Sequence, residues 1–203
     1  MLEAVNLSCV RGERRLFSGL NFSLSAGSYL QAFGPNGSGK TSLLRIVCGL
    51  AAPAAGEVRW DGTDIRGLGE EYFGAIAYVA HQNGVKDEMD PIENLRISSG
   101  VAGNALSKRE AQAVLERVGL GKQHHLPARL LSAGQRRRLA LSRLLASRAR
   151  LWVLDEPLAS LDDDGARLAR KLISEHLTSA GMAIIATHQE MGLSAGQMQR
   201  IEL

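Results

Sequence analysis

The chain has 203 residues, 45% of them hydrophobic, which suits one domain with an ample core but includes no run of about 20 apolar residues of the kind that spans a bilayer. A formal net charge of +3 gives only a weak hint of an anionic partner, nucleic acid or a membrane surface, and no nucleic acid is expected. Cys9 and Cys48 lack metal-ligand spacing and read as reduced, buried side chains of a cytosolic chain, and residues 1–6 carry neither the basic nor the apolar stretch of a secretory leader.

Residues 2–33 read as alternating strands with a turn at Arg11-Gly12-Glu13. Tyr29-Leu30-Gln31-Ala32-Phe33 is short and apolar, as a buried strand should be. It runs into Gly34-Pro35-Asn36-Gly37-Ser38-Gly39-Lys40-Thr41, which has the spacing G-x-x-x-x-G-K-[ST]. Glycine tolerates the backbone angles that turn successive N–H groups inward around phosphate oxygens. Lys40 adds a positive charge at the β- and γ-phosphates, and Thr41 offers a hydroxyl to Mg²⁺. Residues 41–48 have helical spacing, so the phosphates meet a helix N-terminus. The loop therefore assigns a nucleoside triphosphate as ligand without saying what its energy is for.

Strands follow at 56–60 and 76–79, with loops at Gly62 and at Gly67-Leu68-Gly69. From Asn83 to about Leu145 the pattern is helical. Ser107 and Glu110 form a capping box ahead of the apolar face Ala111, Val114, Leu115 and Val118, and Gly119 sits near that helix's end. Within the same stretch lies Leu131-Ser132-Ala133-Gly134-Gln135, followed by Arg136-Arg137-Arg138. Leu151-Trp152-Val153-Leu154-Asp155-Glu156-Pro157 is then an apolar strand ending in two acids, Asp155 for a metal shell and Glu156 to activate water. A helix over roughly 163–179, a buried strand over 182–186 leading to His188, and a short strand near 198–202 complete the pattern. The fold read from it is α/β with a helical insertion.

These motifs, in this order, resemble the ABC-type ATP-binding cassette over nearly the whole chain. The resemblance implies a single cassette over residues 1–203, with a P-loop NTPase core, an N-terminal antiparallel β subdomain, and a helical subdomain of about 84–145 inserted in the core. It implies ATP and Mg²⁺ as ligands, with Gly34, Pro35, Asn36, Gly37, Ser38, Gly39, Lys40 and Thr41 as the phosphate loop. Ser132, Gly134 and Gln135 belong to the signature that meets nucleotide, Asp162 to the D-loop. Thr41, Gln82 and Asp155 are implied at the metal, and Glu156, His188 and Gln82 in catalysis. The signature helix should aim its N-terminal amides at the γ-phosphate held by a second copy, so a homodimer is implied at least when ATP is bound. Two positions depart from the family pattern. Ala133 replaces a glycine, a mild change, and Arg11 stands where an adenine-stacking aromatic is common. A guanidinium can stack on a base or sit as a solvated turn residue, and both readings stay open for Arg11.

Arg136-Arg137-Arg138 read as the solvated side of a helix rather than a nucleic-acid contact. His124-His125 read as loop histidines, Asp162-Asp163-Asp164 as acids suited to a helix start, and Trp60 and Trp152 as core. The stretch His81-Gln82-Asn83-Gly84-Val85-Lys86-Asp87-Glu88-Met89 before Pro91-Ile92-Glu93-Asn94-Leu95 is similar to the post-Q-loop segment of the cytochrome c maturation ATPases, the haem-exporter ATP-binding subunits, with Asn83 where proline is expected. That resemblance implies ATP hydrolysis coupled to haem export for c-type cytochrome biogenesis. It also implies integral membrane subunits as partners and a peripheral place on the cytoplasmic face of the bacterial inner membrane, with segment 85–89 toward the membrane partner. The ATPase of another exporter and a soluble assembly ATPase, as used for iron–sulfur clusters, remain open.

Overall fold

The computed structural model describes residues 1–203. Two sheets share the core. In the first, β1 (Leu2–Arg11) pairs antiparallel with β2 (Arg14–Leu24) and with β4 (Ala55–Trp60), which pairs with the short β5 (Thr63–Asp64), in the order β2-β1-β4-β5. The second is wholly parallel: β3 (Ser28–Phe33), β6 (Ile76–Val79), β7 (Leu151–Asp155), β8 (Met182–Thr187) and β9 (Gln197–Glu202) lie in the order β6-β7-β8-β3-β9.

A parallel sheet covered on both faces needs apolar residues at every strand position. β7 and β8 supply them, being buried throughout. Alternate residues point to opposite faces. Leu151, Val153, Met182 and Ile184 enter the core shared with the antiparallel sheet and with α1 (Lys40–Val47). Trp152, Leu154, Ala183 and Ile185 enter the core under α5 (Ala133–Ala146) and α6 (Asp163–Thr178). Each fully buried Leu or Ile contributes about 1.5–3 kcal/mol of transfer free energy. Trp60 packs edge-on against Tyr72 of α2 (Glu70–Ala75), with ring centroids 5.6 Å apart, and Trp152 stacks on His176 at 3.9 Å. Cys9 and Cys48 are buried free thiols, and burial pushes the Cys48 thiol up to about 12.

A third apolar cluster joins α3 (Pro91–Val101), α4 (Lys108–Arg117) and α5. The capping box expected at Ser107 and Glu110 is present, with Glu110 N donating to Ser107 Oγ at 3.3 Å and Ser107 N to Glu110 Oε2 at 2.8 Å. The helical pattern expected from Asn83 begins only at Pro91. Asp90 caps α3, and proline disfavours helix at the residue before it. The buried Asn94 carboxamide takes over the backbone of the preceding loop. It accepts from Lys86 N at 2.8 Å and donates to the carbonyls of Lys86, Met89 and Asp90 at 3.0–3.1 Å.

The parallel register puts the functional strand ends on one edge. Phe33 pairs with Thr187, Asp155 with Ala186, and Val79 with Leu154. Residues following these strands emerge together, where open α/β sheets take their ligands.

Candidate functional site

The loop after β3 curls over the N-terminus of α1. Gly39 caps that helix at φ 116°, a region closed to most side chains. A Cβ at Gly34 would lie 2.5 Å from the Leu203 carbonyl oxygen, so the close approach of the chain end also requires glycine. Lys40 is buried, and its ammonium donates to the carbonyls of Gly34 at 2.6 Å and Pro35 at 3.0 Å. Ser38 Oγ is buried with no hydrogen-bond partner.

A cavity of about 420 Å³ opens over the loop. Asn36, Lys40 and Thr41 line it together with Asp155, Glu156, Arg11 and Leu16. Thr41 Oγ1 donates to Asp155 Oδ2 at 2.8 Å, joining the start of α1 to the end of β7. Desolvation pushes the buried Asp155 carboxyl up, opposed by the Thr41 hydrogen bond and the His81 charge.

Glu156 begins the turn after β7 in a left-handed conformation, φ 48°, uncommon for a non-glycine residue and typical of sites held by their surroundings. Its carboxylate accepts from Thr187 Oγ1 at 3.2 Å and from His188 Nδ1 at 3.0 Å. The His188 side chain is 54% exposed, that of Glu156 13%. Gln82 follows β6, is exposed, and stands outside the cavity lining. The neighbour that lines the cavity is His81, which the sequence offers only as the first residue of the stretch 81–89, with no role of its own.

Ser132 caps α5 in a box with Gln135. Gln135 N donates to Ser132 Oγ at 3.2 Å and Ser132 N to Gln135 Oε1 at 2.9 Å, a cap worth about 1 kcal/mol. A Cβ at Gly134 would lie 2.9 Å from Ser160 O, while Ala133 is exposed and its methyl group is accommodated. Asp162 caps α6, accepting from Gly165 N at 2.8 Å. Ser132, Gly134 and Gln135 lie outside the cavity that holds Lys40, Thr41, Asp155 and Glu156. One chain thus brings together the loop and the two acids but not the segment starting α5.

One reading of the sequence needs correction. Arg137 is not on a solvated face but 2% exposed, the largest fully buried side chain. Its guanidinium donates to the carbonyls of Ala80, Asp155, Glu156 and Pro157 and to Asn83 Oδ1, at 2.6–3.3 Å. These acceptors are mostly backbone, so no side-chain pattern announces them.

A family model for the ABC transporter matches residues 17–159. The cytochrome c biogenesis ATP-binding export protein CcmA of Nitrosospira multiformis is 54% identical over 202 residues, covering 100% of this chain and 98% of that protein. CcmA of Nitrosomonas europaea is 49% identical over 203 residues, covering 100% and 95%. Among solved structures, an ABC transporter ATP-binding protein from Pyrococcus furiosus superposes with a TM-score of 0.85 at 26% identity, covering 98% of this chain and 96% of that one. A bacterial ABC transporter cassette solved as a dimer has a TM-score of 0.84 at 22% identity, over 100% and 94%, a likeness of fold alone. The chain belongs to the ABC transporter family as an ATP-binding cassette, in the branch of the cytochrome c biogenesis ATP-binding export proteins.

Proposed function

We propose that the chain is the ATP-hydrolysing subunit of a membrane complex that serves haem export for c-type cytochrome biogenesis. The observation that carries the reading is the cavity in which Lys40, the Thr41–Asp155 hydrogen bond and Glu156 converge, on a chain matched end to end by CcmA proteins. The donor set fits a metal triphosphate. Ser38 Oγ is an orphaned buried hydroxyl in the phosphate loop, Lys40 carries a charge among backbone carbonyls, and Thr41 and Asp155 offer the hard oxygens that Mg²⁺ prefers. Gln82 would join them at the metal.

Mg²⁺, when bound, would neutralise charge on the β- and γ-phosphoryl oxygens. Lys40 and the loop amides, from Gly34 through Pro35, Asn36, Gly37, Ser38 and Gly39 to Thr41, hold the phosphates. Glu156 takes a proton from the attacking water as its oxygen bonds the γ-phosphorus and the bridge to the β-phosphate breaks. His188 holds the Glu156 carboxylate through Nδ1 and turns toward the γ-phosphate, and Gln82 approaches from the end of β6. Ser132, Gly134 and Gln135 of a second copy would close the site, since their own chain leaves them outside it.

No helix is long and apolar enough to cross a membrane. In this reading integral subunits of the complex would carry membrane passage, with this chain peripheral on the cytoplasmic face of the inner membrane. Phe73 and Val101, 54% and 87% exposed, line one mixed groove with Ile76, Glu70 and Arg148, and cover by a partner would bury its two exposed apolar side chains. Affinity purification of the tagged chain from bacterial membranes tests the assignment. Recovery of integral membrane subunits with bound haem is expected. Recovery of soluble scaffold chains, or of membrane subunits free of haem, would contradict it.

A further inference from the structure

We infer that Arg137 is a positioning residue that locks the loop carrying Gln82 to the turn carrying Glu156, with the Asn83 carboxamide as the joint. The inference rests on the proposed ATPase reading for its kinetic consequence, but its geometry stands without it.

A buried guanidinium persists only where its planar fork of five N–H donors is met. Arg137 meets that condition with five oxygen atoms on two segments. Nη1 donates to Ala80 O at 2.8 Å and to Asn83 Oδ1 at 3.1 Å. Nη2 donates to Asp155 O at 2.6 Å and to Glu156 O at 2.8 Å, and Nε to Pro157 O at 3.3 Å. Three successive carbonyls thus converge on one side chain, and the middle one belongs to the residue at φ 48°. Their fixed direction sets the peptide planes on either side of Glu156, and so where its carboxylate points.

The other arm brackets Gln82, since Ala80 and Asn83 lie on either side of it. Arg143, further along α5, reinforces the grip by donating to Asn83 O at 3.0 Å and Gly84 O at 2.7 Å. Of the five acceptors four are backbone carbonyls, and only Asn83 offers a side-chain oxygen. In this chain the amide supplies the link. Arg137 also lies two residues after Gln135, on the helix that Ser132 caps, so movement at the start of α5 reaches both the metal-side loop and the turn after β7.

Two variants separate this role from plain support of the fold. Asn83→Ala removes the side-chain link on the loop side and leaves the backbone contacts at Ala80, Asn83 and Gly84 in place. Amide hydrogen exchange of the full chain should then rise about tenfold in both 80–84 and 155–159, the scale of one lost charge-assisted hydrogen bond, while β1 and β2 keep their protection. Asn83→Asp restores an acceptor oxygen and should recover most of the loss. Arg137→Lys keeps the charge but not the fork. It should lower kcat for ATP about tenfold with ATP Kd within about twofold of wild type. Unchanged exchange at 155–159 in Asn83→Ala, or an equal rise across the antiparallel sheet, would overturn the inference. The exchange result stands even if Arg137→Lys does not fold. Absence of hydrolysis by the wild-type chain in its membrane complex would overturn the ATPase reading instead.

Discussion

Nδ1 of His188 stands 3.0 Å from Oε1 of Glu156, so the residues that follow β8 and β7 form one hydrogen-bonded unit at the edge of the parallel sheet. His188→Ala should cut the rate of hydrolysis by about 10²-fold with little loss of ATP affinity, because the phosphate loop is untouched. Single-turnover hydrolysis alongside nucleotide titration checks this. Wild-type turnover in the variant would reduce His188 to a packing residue.

Glu156→Gln preserves the side-chain shape but cannot take a proton from water. ATP binding should persist while turnover falls by at least about 10²-fold, and ATP with Mg²⁺ should hold two copies together. Sedimentation velocity of this variant with ATP and Mg²⁺ reads the outcome. A monomer alone would count against a site completed by the second copy's Ser132, Gly134 and Gln135.

Lys40 is buried among the Gly34 and Pro35 carbonyls. Lys40→Ala should weaken ATP binding by at least about tenfold, the scale of a lost charge-assisted contact, and hydrolysis should fall with it. Calorimetric titration decides; unchanged affinity would mean that the ammonium does not face phosphate.

The parts of the site that were legible in the sequence are those whose chemistry sits in contiguous residues. The run from Gly34 to Thr41 is one, since a phosphate cradle is made of neighbouring amides. Asp155-Glu156 at the end of an apolar strand is another, as is the run Leu131-Ser132-Ala133-Gly134-Gln135. The order β6-β7-β8-β3-β9 was not legible, because parallel pairing joins segments far apart in sequence. Nor was Arg137, whose partners are chiefly backbone carbonyls common to every residue. The loop before α3 misled because its Asn94 anchor looks like an ordinary polar helix residue.

His176 stacks on Trp152 and its Nε2–H donates to Met182 O at 3.1 Å. Burial holds its imidazole below the ordinary histidine range, with the backbone hydrogen bonds opposing. A depressed folded pKa means that the unfolded chain takes up the proton first, so this contribution to stability is full above about pH 6.5 and is lost as pH falls through the folded value. Urea midpoints should decline more steeply from pH 7 to 5 in the wild type than in His176→Gln. Equal slopes would contradict the assignment.

Glu88 Oε2 accepts from Arg129 Nη1 at 3.1 Å, both side chains being largely exposed, and such a pair contributes about 0–1 kcal/mol. The Lys86 backbone is held by Asn94, which leaves its side chain free to change. Charge reversal at Lys86 or Glu88 should therefore leave folding and ATP binding near normal while weakening assembly with the membrane subunits. Membrane pull-down of the variants checks this, and normal recovery of the complex would contradict a docking role for segment 85–89.

Whether hydrolysis by this chain drives haem export for cytochrome c biogenesis is decided by haem staining of c-type cytochromes in bacterial cells whose only copy carries Glu156→Gln. Apocytochrome should still be made and the variant should still associate with membranes, while holo-cytochrome c should fall to background and return with the wild-type chain. Normal holo-cytochrome c in the Glu156→Gln cells would contradict that coupling.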